Sequence, residues 1–580
     1  MVEAGDRSCY QFLLDCTDEY GEYACVQHFG KSYDRSRVLS DIDSLAAYLK
    51  IELGLKPGDV YTVFMPTTVQ SIIAFYAMNK VGIIANFVHP LLPPEGLREI
   101  IRDVNSKGIM VLDLLYKKYT DVINESGLPI LVCHSSDYAG FLKGSGAKLG
   151  EGLIKRAYPK IANREEYLSA LNRFRRANVK PSCDCDAPAV YLNGGGTTGK
   201  SKTIKLTSRA INELVSRVSV LDRIHQPGIE AEIVVLPLFH CFGLCVAIHM
   251  AMCNAARIIP MMQFDAKLFN KLMHKNKIVG IVGIPSMFKK LMEEKHFDGK
   301  HLKDLRVLFC GGDDASQAML DEFNSYLEKY NAPGRLRQGY GLTEVGSVCS
   351  TCSTDNYKPN SIGTALEGVE MQIWDDEHRQ LPNGSIGEIA VSGPTIMTGY
   401  YAPGAAEDEG LYTDANGKKW VLSGDLGYRD DEGFFFFSGR KKRVIIISGY
   451  NVYPGDIEKK LSEFSFVKEV CCVKGFQNGK QIIRMYVSFC EKGDRSEFKK
   501  KMLACIEEHF SKFSLPREII VVDSLPQTPL MKIDFMKLTQ NNPEDEVYRP
   551  AAALAYESED STAEAKRQEA KASAEGPMIA

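Results

Sequence analysis

A charge excess of either sign is what this chain lacks first: 70 Lys and Arg stand against 74 Asp and Glu, a formal net charge of -4 over 580 residues. So even a balance gives no electrostatic reason to expect a nucleic-acid partner. Long apolar runs are missing too. The most apolar region, Val69 to Leu92, is interrupted by Ser71, Asn79, Lys80, Asn86 and His89, whereas a bilayer-crossing helix needs about 20 consecutive apolar residues. The start, Met1-Val-Glu-Ala-Gly-Asp-Arg7, has acids where a secretory leader needs a basic end and an apolar run, so the cytoplasm is the expected location. Sixteen cysteines are too sparse for a disulfide scaffold. Cys349-Ser-Thr-Cys352 has no second CxxC to match it, and Cys183-Asp-Cys185 has the wrong spacing for a zinc knuckle. Metal or redox chemistry through cysteine is therefore not expected. The sequence shows no internal repeats.

What is there is an ordinary globular composition, 44% hydrophobic and 25% charged, in a chain long enough for two or more domains. Val60 to Met65 reads as a buried strand, Thr67 to Val81 as a helix, Ile83 to Val88 as a strand, Pro94 to Lys107 as a helix and Gly108 to Leu112 as a strand. Such alternation predicts a mostly parallel sheet covered by helices on both faces. Between Ser135 and Pro181 clustered Gly, Ser, Lys and Arg suggest a surface excursion. Ile233 to Gly243 reads as a strand that breaks at Pro237 and ends at His240 and Gly243. Leu305 to Asp314 reads as a strand running into a double-glycine turn, followed by a helix over Ser316 to Tyr330. Alternating Val and Ile with an Asn383-Gly384 turn predict a small β subdomain. Beyond it, Val444 to Ile447 is a strand, and the helices Gly455 to Phe464 and Phe498 to Phe510 complete a small lobe. After Asn541 an acidic composition without an apolar stripe predicts a flexible tail.

The stretch Tyr191-Leu-Asn-Gly-Gly-Gly-Thr-Thr-Gly-Lys-Ser-Lys-Thr203 has the composition of a phosphate loop. Consecutive glycines let backbone N–H groups face an anion, and threonines and lysines add donors and charge. Gly194 to Ser201 also fits the Walker spacing, in which a helix must follow at once. Lys202-Thr-Ile-Lys-Leu-Thr207 instead alternates at a strand period, so the loop is expected to be a hairpin between strands. Gln338-Gly-Tyr-Gly-Leu-Thr-Glu344 is the second diagnostic stretch. Tyr340 can lie flat against a purine, Thr343 can hydrogen-bond a phosphate, and Glu344 can ligate a hard divalent cation. Bare glycines at Gly311-Gly312 allow a flat ligand to approach beyond a strand's carboxyl end. Asp425, an isolated carboxylate in Ser423-Gly-Asp-Leu-Gly427, can accept two ribose hydroxyls.

These motifs, in this order, resemble those of the adenylate-forming superfamily of acyl-CoA synthetases, adenylation domains and luciferases, over most of Asp59 to Leu538. The resemblance implies an α/β fold: a large N-terminal domain over 1–439 with mostly parallel sheets and a β subdomain, a small mobile α+β lid over 440–540, and a flexible tail over 541–580. It implies that Gly196, Thr197, Thr198, Gly199 and Lys202 hold the β/γ-phosphates, with Ser201 and Thr203 replacing the family's proline and glycine. Gly312, Asp313, Tyr340 and Gly341 then face the adenine, Thr343 the α-phosphate, Asp425 the ribose and Glu344 a Mg²⁺ ion, with Arg440, which closes the large domain, also on the nucleotide. Asp313 stands where relatives continue Ala-Pro-Leu. His240, in Pro237-Leu-Phe-His-Cys-Phe-Gly243, is implied to lie on the acyl side, and Gly449 in the pantetheine channel. Lys532 has the position of the lysine that bridges carboxylate and α-phosphate, with Met531 in place of a glycine. The implied activity is ATP-dependent conversion of a carboxylic acid, fatty or aryl, to an acyl-adenylate and then to its coenzyme A thioester. Loading of a carrier protein, a luciferase-like oxygenation and a non-catalytic acyl-adenylate-binding module are the rivals.

Overall fold

The structure, a computed structural model, describes residues 3–139, 163–194, 202–218, 226–295, 297, 299, 301–313, 315–353, 356–404, 406, 408–447, 450–477, 480–490, 494–510, 512–527, 533–540 and 547–548. The strand and helix alternation builds two large sheets. The first has eight strands in the order Gly399–Tyr401, Lys202–Thr207, Pro188–Gly194, Ile84–Phe87, Val60–Phe64, Ile109–Leu112, Ile130–Cys133, Arg164–Glu166. From Pro188–Gly194 to Arg164–Glu166 its neighbours run parallel. Its strands are wholly buried from Val60 to Leu112, as a sheet covered on both faces requires. The helix Val69–Lys80 covers it with every residue buried, and starts where Thr68 accepts the Ser71 N–H.

The second sheet has nine strands in the order Thr364–Ala365, Ser350–Thr351, Arg337–Tyr340, Val307–Cys310, Lys277–Gly283, Glu230–Val234, Arg257–Pro260, Ala24–His28, Lys31–Asp34. Its interior neighbours are parallel. Phe269, Ile281, Phe288, Leu291, Leu305 and Phe323 form the core beside it. Parallel strands end on one side, so the residues after Val234, Gly283, Cys310 and Tyr340 are gathered along a single edge. A smaller 5-stranded sheet follows, its main path Glu370–Trp374, Gly387–Ser392, Lys419–Arg429, Tyr412–Thr413, in keeping with the expected β subdomain.

The chain divides into two compact units, one of Met1–Ser385, Ile389–Ser423 and Arg429–Phe436, the other of Ile386–Glu388, Gly424–Tyr428 and Phe437–Ala580. The second unit is α+β. Its hairpin of Val467–Gln477 and Lys480–Phe489 pairs in parallel with Glu518–Val521, and the helices Pro454–Leu461 and Arg495–His509 bury Ile457, Leu461, Met502 and Ile506 against that sheet.

Three segments differ from the sequence expectation. The strand predicted over Ile233 to Gly243 is the strand Glu230–Val234, and Phe242–Met250 is a helix of wide π geometry, buried at all nine positions. A helix buried all round shows no amphipathic period, which is why its sequence does not announce it. The excursion expected over Ser135 to Pro181 contains the edge strand Arg164–Glu166 and the helix Tyr167–Arg173, whose Tyr167, Ala170 and Leu171 are buried. Within the expected tail, Val547–Tyr548 pairs antiparallel with Ile520 and Ile519. Among the described residues, no helix is long and apolar enough to cross a membrane.

Candidate active site

The hairpin reading of the glycine loop agrees with the structure. Pro188–Gly194 and Lys202–Thr207 are antiparallel, with Gly194 opposite Lys202, and helix begins only at Ser208. A Walker loop needs a helix N-terminus directly behind its phosphate-binding residues, so that arrangement is excluded. Gly196, Thr197, Thr198, Gly199 and Ser201 lie outside the described residues.

The base of the hairpin is fixed by a polar chain that sequence reasoning missed. Thr203 Oγ1 donates to Asn193 Oδ1 at 2.8 Å, across the register pair Asn193 and Thr203. Asn193 Nδ2 donates to Asn86 Oδ1 at 3.0 Å and to Phe87 O at 3.1 Å. Asn86 Nδ2 reaches Thr62 Oγ1 at 3.0 Å, and Thr62 Oγ1 reaches Ser106 Oγ at 2.9 Å. A network of buried groups in which each donor has an acceptor holds one geometry. Thr203, which departs from the family's glycine, therefore contributes a cross-strand bond of its own. Thr203→Val keeps the branched shape and removes the donor. It is expected to cost about 1–3 kcal/mol and to raise the KM for ATP several-fold; denaturant unfolding and steady-state kinetics measure the two, and an unaltered KM would show that the base does not govern the loop.

The carboxyl edge of the nine-stranded sheet brings together three of the remaining motifs. Gly311 follows Val307–Cys310, with its N–H bonded to Gly283 O at 3.1 Å, and Gly312 adopts φ +79°. The next strand ends at Tyr340. Gly341 follows, where a Cβ would stand 1.7 Å from Ser347 O, so no larger residue fits unless the backbone moves. Thr343 and Glu344 occupy a single 3₁₀ turn closed by left-handed Gly346 at φ +76°. Gly312 and Asp313 are exposed and Tyr340 is half-buried, which leaves the Gly-Gly turn open beside the tyrosine.

Around the Thr343–Val345 turn, partners arrive from distant elements. Cys241 Sγ donates to Thr343 Oγ1 at 3.3 Å. Burial pushes that thiol up to about 11, partly offset by the bond to Thr343, so it remains neutral. By accepting from the thiol, the threonine keeps its own hydroxyl proton for another acceptor. The Tyr400 hydroxyl donates to Glu344 Oε1 at 2.9 Å. Burial first, and then the charge of Glu344, hold this phenol protonated. The Lys202 ammonium stands 4.2 Å from the centroid of the Tyr400 ring. His240 begins a turn on the same edge: its Nδ1 accepts the Phe242 N–H at 3.2 Å, which places the imidazole proton on Nε2. That turn is braced by Thr67, which donates to Leu236 O at 3.3 Å and accepts from Leu238 N at 3.0 Å.

In the second unit, Arg440 Nη1 lies 2.8 Å from Asp425 Oδ1, and Asp425 is buried. Beside them Gly424 N donates to Glu388 Oε1 at 2.9 Å, while Lys441 Nζ holds Glu388 Oε2 at 2.8 Å. Gly449, Met531 and Lys532 lie outside the described residues.

A hard cation such as Mg²⁺ suits the Glu344 site. A carboxylate has about four lone-pair positions, and the Tyr400 hydroxyl takes one of them, while the Lys202 ammonium nearby suits the phosphates such an ion accompanies.

The long-chain-fatty-acid–CoA ligase of Escherichia coli O6:H1 is 28% identical over 537 residues, covering 90% of this chain and 93% of the relative. The enzyme of the same description from Bacillus subtilis is 26% identical over 551 residues, covering 93% and 95%. In fold, the chain is similar to ATP-bound MatB from Rhodopseudomonas palustris, with TM-score 0.78 at 19% identity over 92% of this chain and 99% of that one. It is also similar to the o-succinylbenzoate CoA synthetase of Bacillus subtilis in complex with its acyl-adenylate, with TM-score 0.72 at 20% identity over 93% and 99%. Residues 16–401 match the family described as AMP-binding enzyme, and the chain belongs to that family.

Proposed function

We propose that this protein is an AMP-forming acyl-CoA synthetase that activates a carboxylic acid with ATP and passes the acyl group to coenzyme A. The observation that carries this reading is the meeting of Thr343, Glu344, Tyr400 and Lys202. A fatty acid is the favoured substrate class, because the relatives are named for long-chain fatty acids and Phe242 and Ile284 pack beside the glycine turn.

The chemistry has two displacements. A carboxylate oxygen attacks the α-phosphorus of ATP, the bond to the bridging oxygen breaks, and pyrophosphate leaves with its electron pair. The thiolate of coenzyme A then attacks the acyl carbonyl of the mixed anhydride, and AMP leaves. Attack by one anion on another needs positive charge and N–H donors placed where negative charge grows. Lys202 and the loop Gly196-Thr197-Thr198-Gly199 hold the departing pyrophosphate, the Thr343 hydroxyl donates to the α-phosphate, and Tyr340 with Gly312, Asp313 and Gly341 receives the adenine. Asp425 binds the ribose and Arg440 contacts the nucleotide, His240 positions the acyl end through its Nε2–H, and Lys532, from a small lid domain over 440–540, bridges the two reacting anions. Gly449 lines the path of the pantetheine. Glu344 would hold Mg²⁺, which, when bound, lends the triphosphate a Lewis-acid charge.

A reducing compartment suits sixteen cysteines that are all free, and the cytoplasm is the location we propose. Incubation with ATP, Mg²⁺ and a panel of fatty, aryl and amino acids tests the reading, with pyrophosphate measured first and thioester formation measured on both coenzyme A and acyl carrier protein. Pyrophosphate release that depends on a fatty acid, followed by a coenzyme A thioester, is the expected result. No carboxylate-dependent pyrophosphate from any acid would overturn it.

A further inference from the structure

Tyr400 lies in a strand with no assigned role in the chemistry, yet it touches both charged groups of the phosphate site. The contacts follow from register. Tyr400 is opposite Ile204 in an antiparallel pair, so Lys202, two residues before Ile204, is its diagonal neighbour on the same face, within reach of a long side chain. The Lys202 ammonium accordingly stands over the ring at 4.2 Å. From the other side, Met397 N donates to Glu344 O at 2.8 Å and ties the Thr343–Val345 turn to the segment leading into Tyr400. The hydroxyl then meets Glu344 Oε1 at 2.9 Å. The ring has little room to swing away. Gly410 lies so close that a Cβ there would stand 2.2 Å from Cδ2 and Cε2, and Tyr400 N is bonded to Glu409 O at 2.7 Å.

We propose that Tyr400 is a positioning residue for the metal–nucleotide site: its hydroxyl orients the Glu344 carboxylate toward the cation, and its ring holds the Lys202 ammonium where the phosphates arrive. The inference rests on the function proposed above and deepens it. Its two halves separate by substitution. Tyr400→Phe removes the hydroxyl and keeps the ring; Tyr400→Leu removes both.

Calorimetric titration of each protein with ATP, once with Mg²⁺ and once with EDTA, reads the two halves without requiring turnover. For Tyr400→Phe, ATP affinity with Mg²⁺ is expected to fall about tenfold, as the loss of one hydrogen bond to a charged group implies. With EDTA it should match wild type. For Tyr400→Leu, affinity in EDTA is also expected to fall, about threefold, because the ammonium loses its ring. Equal affinities for wild type and Tyr400→Phe in Mg²⁺, or an equal loss with and without the ion, would overturn the positioning role; the Phe variant alone decides this if the Leu variant does not fold. A wild-type protein that binds no ATP in Mg²⁺ would instead overturn the proposed function, and this inference with it.

Discussion

Lys532→Ala is expected to stop adenylation while leaving ATP bound. In the proposed reaction the substrate carboxylate and the α-phosphate are both anionic and the barrier to their approach is largely electrostatic, so removing the cation proposed to bridge them acts on the transition state far more than on the ground state. Loss of one such contact lowers kcat on the order of 10²–10³-fold, or about 3–4 kcal/mol. ATP affinity should change little, because the adenine, the ribose and the β/γ-phosphates are assigned to Tyr340, Asp425 and Lys202. The half-reactions distinguish this role from a general loss of structure. Given preformed acyl-adenylate and coenzyme A, the variant should still make thioester. Pyrophosphate exchange at the wild-type rate in Lys532→Ala would remove the lysine from the mechanism.

How far the sequence could be read depended on whether a feature's partners were close along the chain. The hairpin under the glycine loop was legible because Lys202 to Thr207 shows its own two-residue period. The helix Gln317–Lys329 was legible because its N-cap, Ser316, accepts the Met319 N–H only three residues on. The Phe242–Met250 helix was not, because nine buried residues, apolar but for His249, carry no period to read. At the site, each motif could be recognised separately, but the Tyr400 bond to Glu344 spans 56 positions and the Cys241 bond to Thr343 spans 102. Such contacts are created by strand register, and Tyr400 in Gly-Tyr-Tyr looks like any strand aromatic. Thr203 shows the same limit: in the sequence it is only a departure from the family's glycine, because its partner Asn193 lies across the hairpin.

The same dependence on topology produces an ion triad far along the other sheet, with Asp113 and His134 buried and Glu166 partly exposed, and it makes stability depend on pH. Three neighbouring parallel strands end at Leu112, Cys133 and Glu166, so Asp113, His134 and Glu166 meet at one edge. His134 Nδ1 is 2.8 Å from Asp113 Oδ2 and Nε2 is 2.6 Å from Glu166 Oε2. Burial alone would lower the imidazole pKa, but hydrogen bonds to Asp113 and Glu166 outweigh it and push it up to about 9. Glu166 is taken down to about 2: burial opposes this, but His134 and Arg164 prevail. A raised histidine contributes stability that is complete below its unfolded value near 6.5 and is lost as pH rises through about 9. A depressed glutamate contributes stability that is present above its unfolded value and lost as pH falls through about 2. His134→Ala strands Asp113, whose carboxylate is buried, without its counter-ion, and is expected to cost about 3–5 kcal/mol near neutral pH. Urea unfolding of wild type and variant between pH 6 and pH 10 should show this gap narrowing as pH climbs, because wild type loses the charged imidazole that the variant never had. A gap of constant size across that range would mean that the triad acts through packing and not through charge.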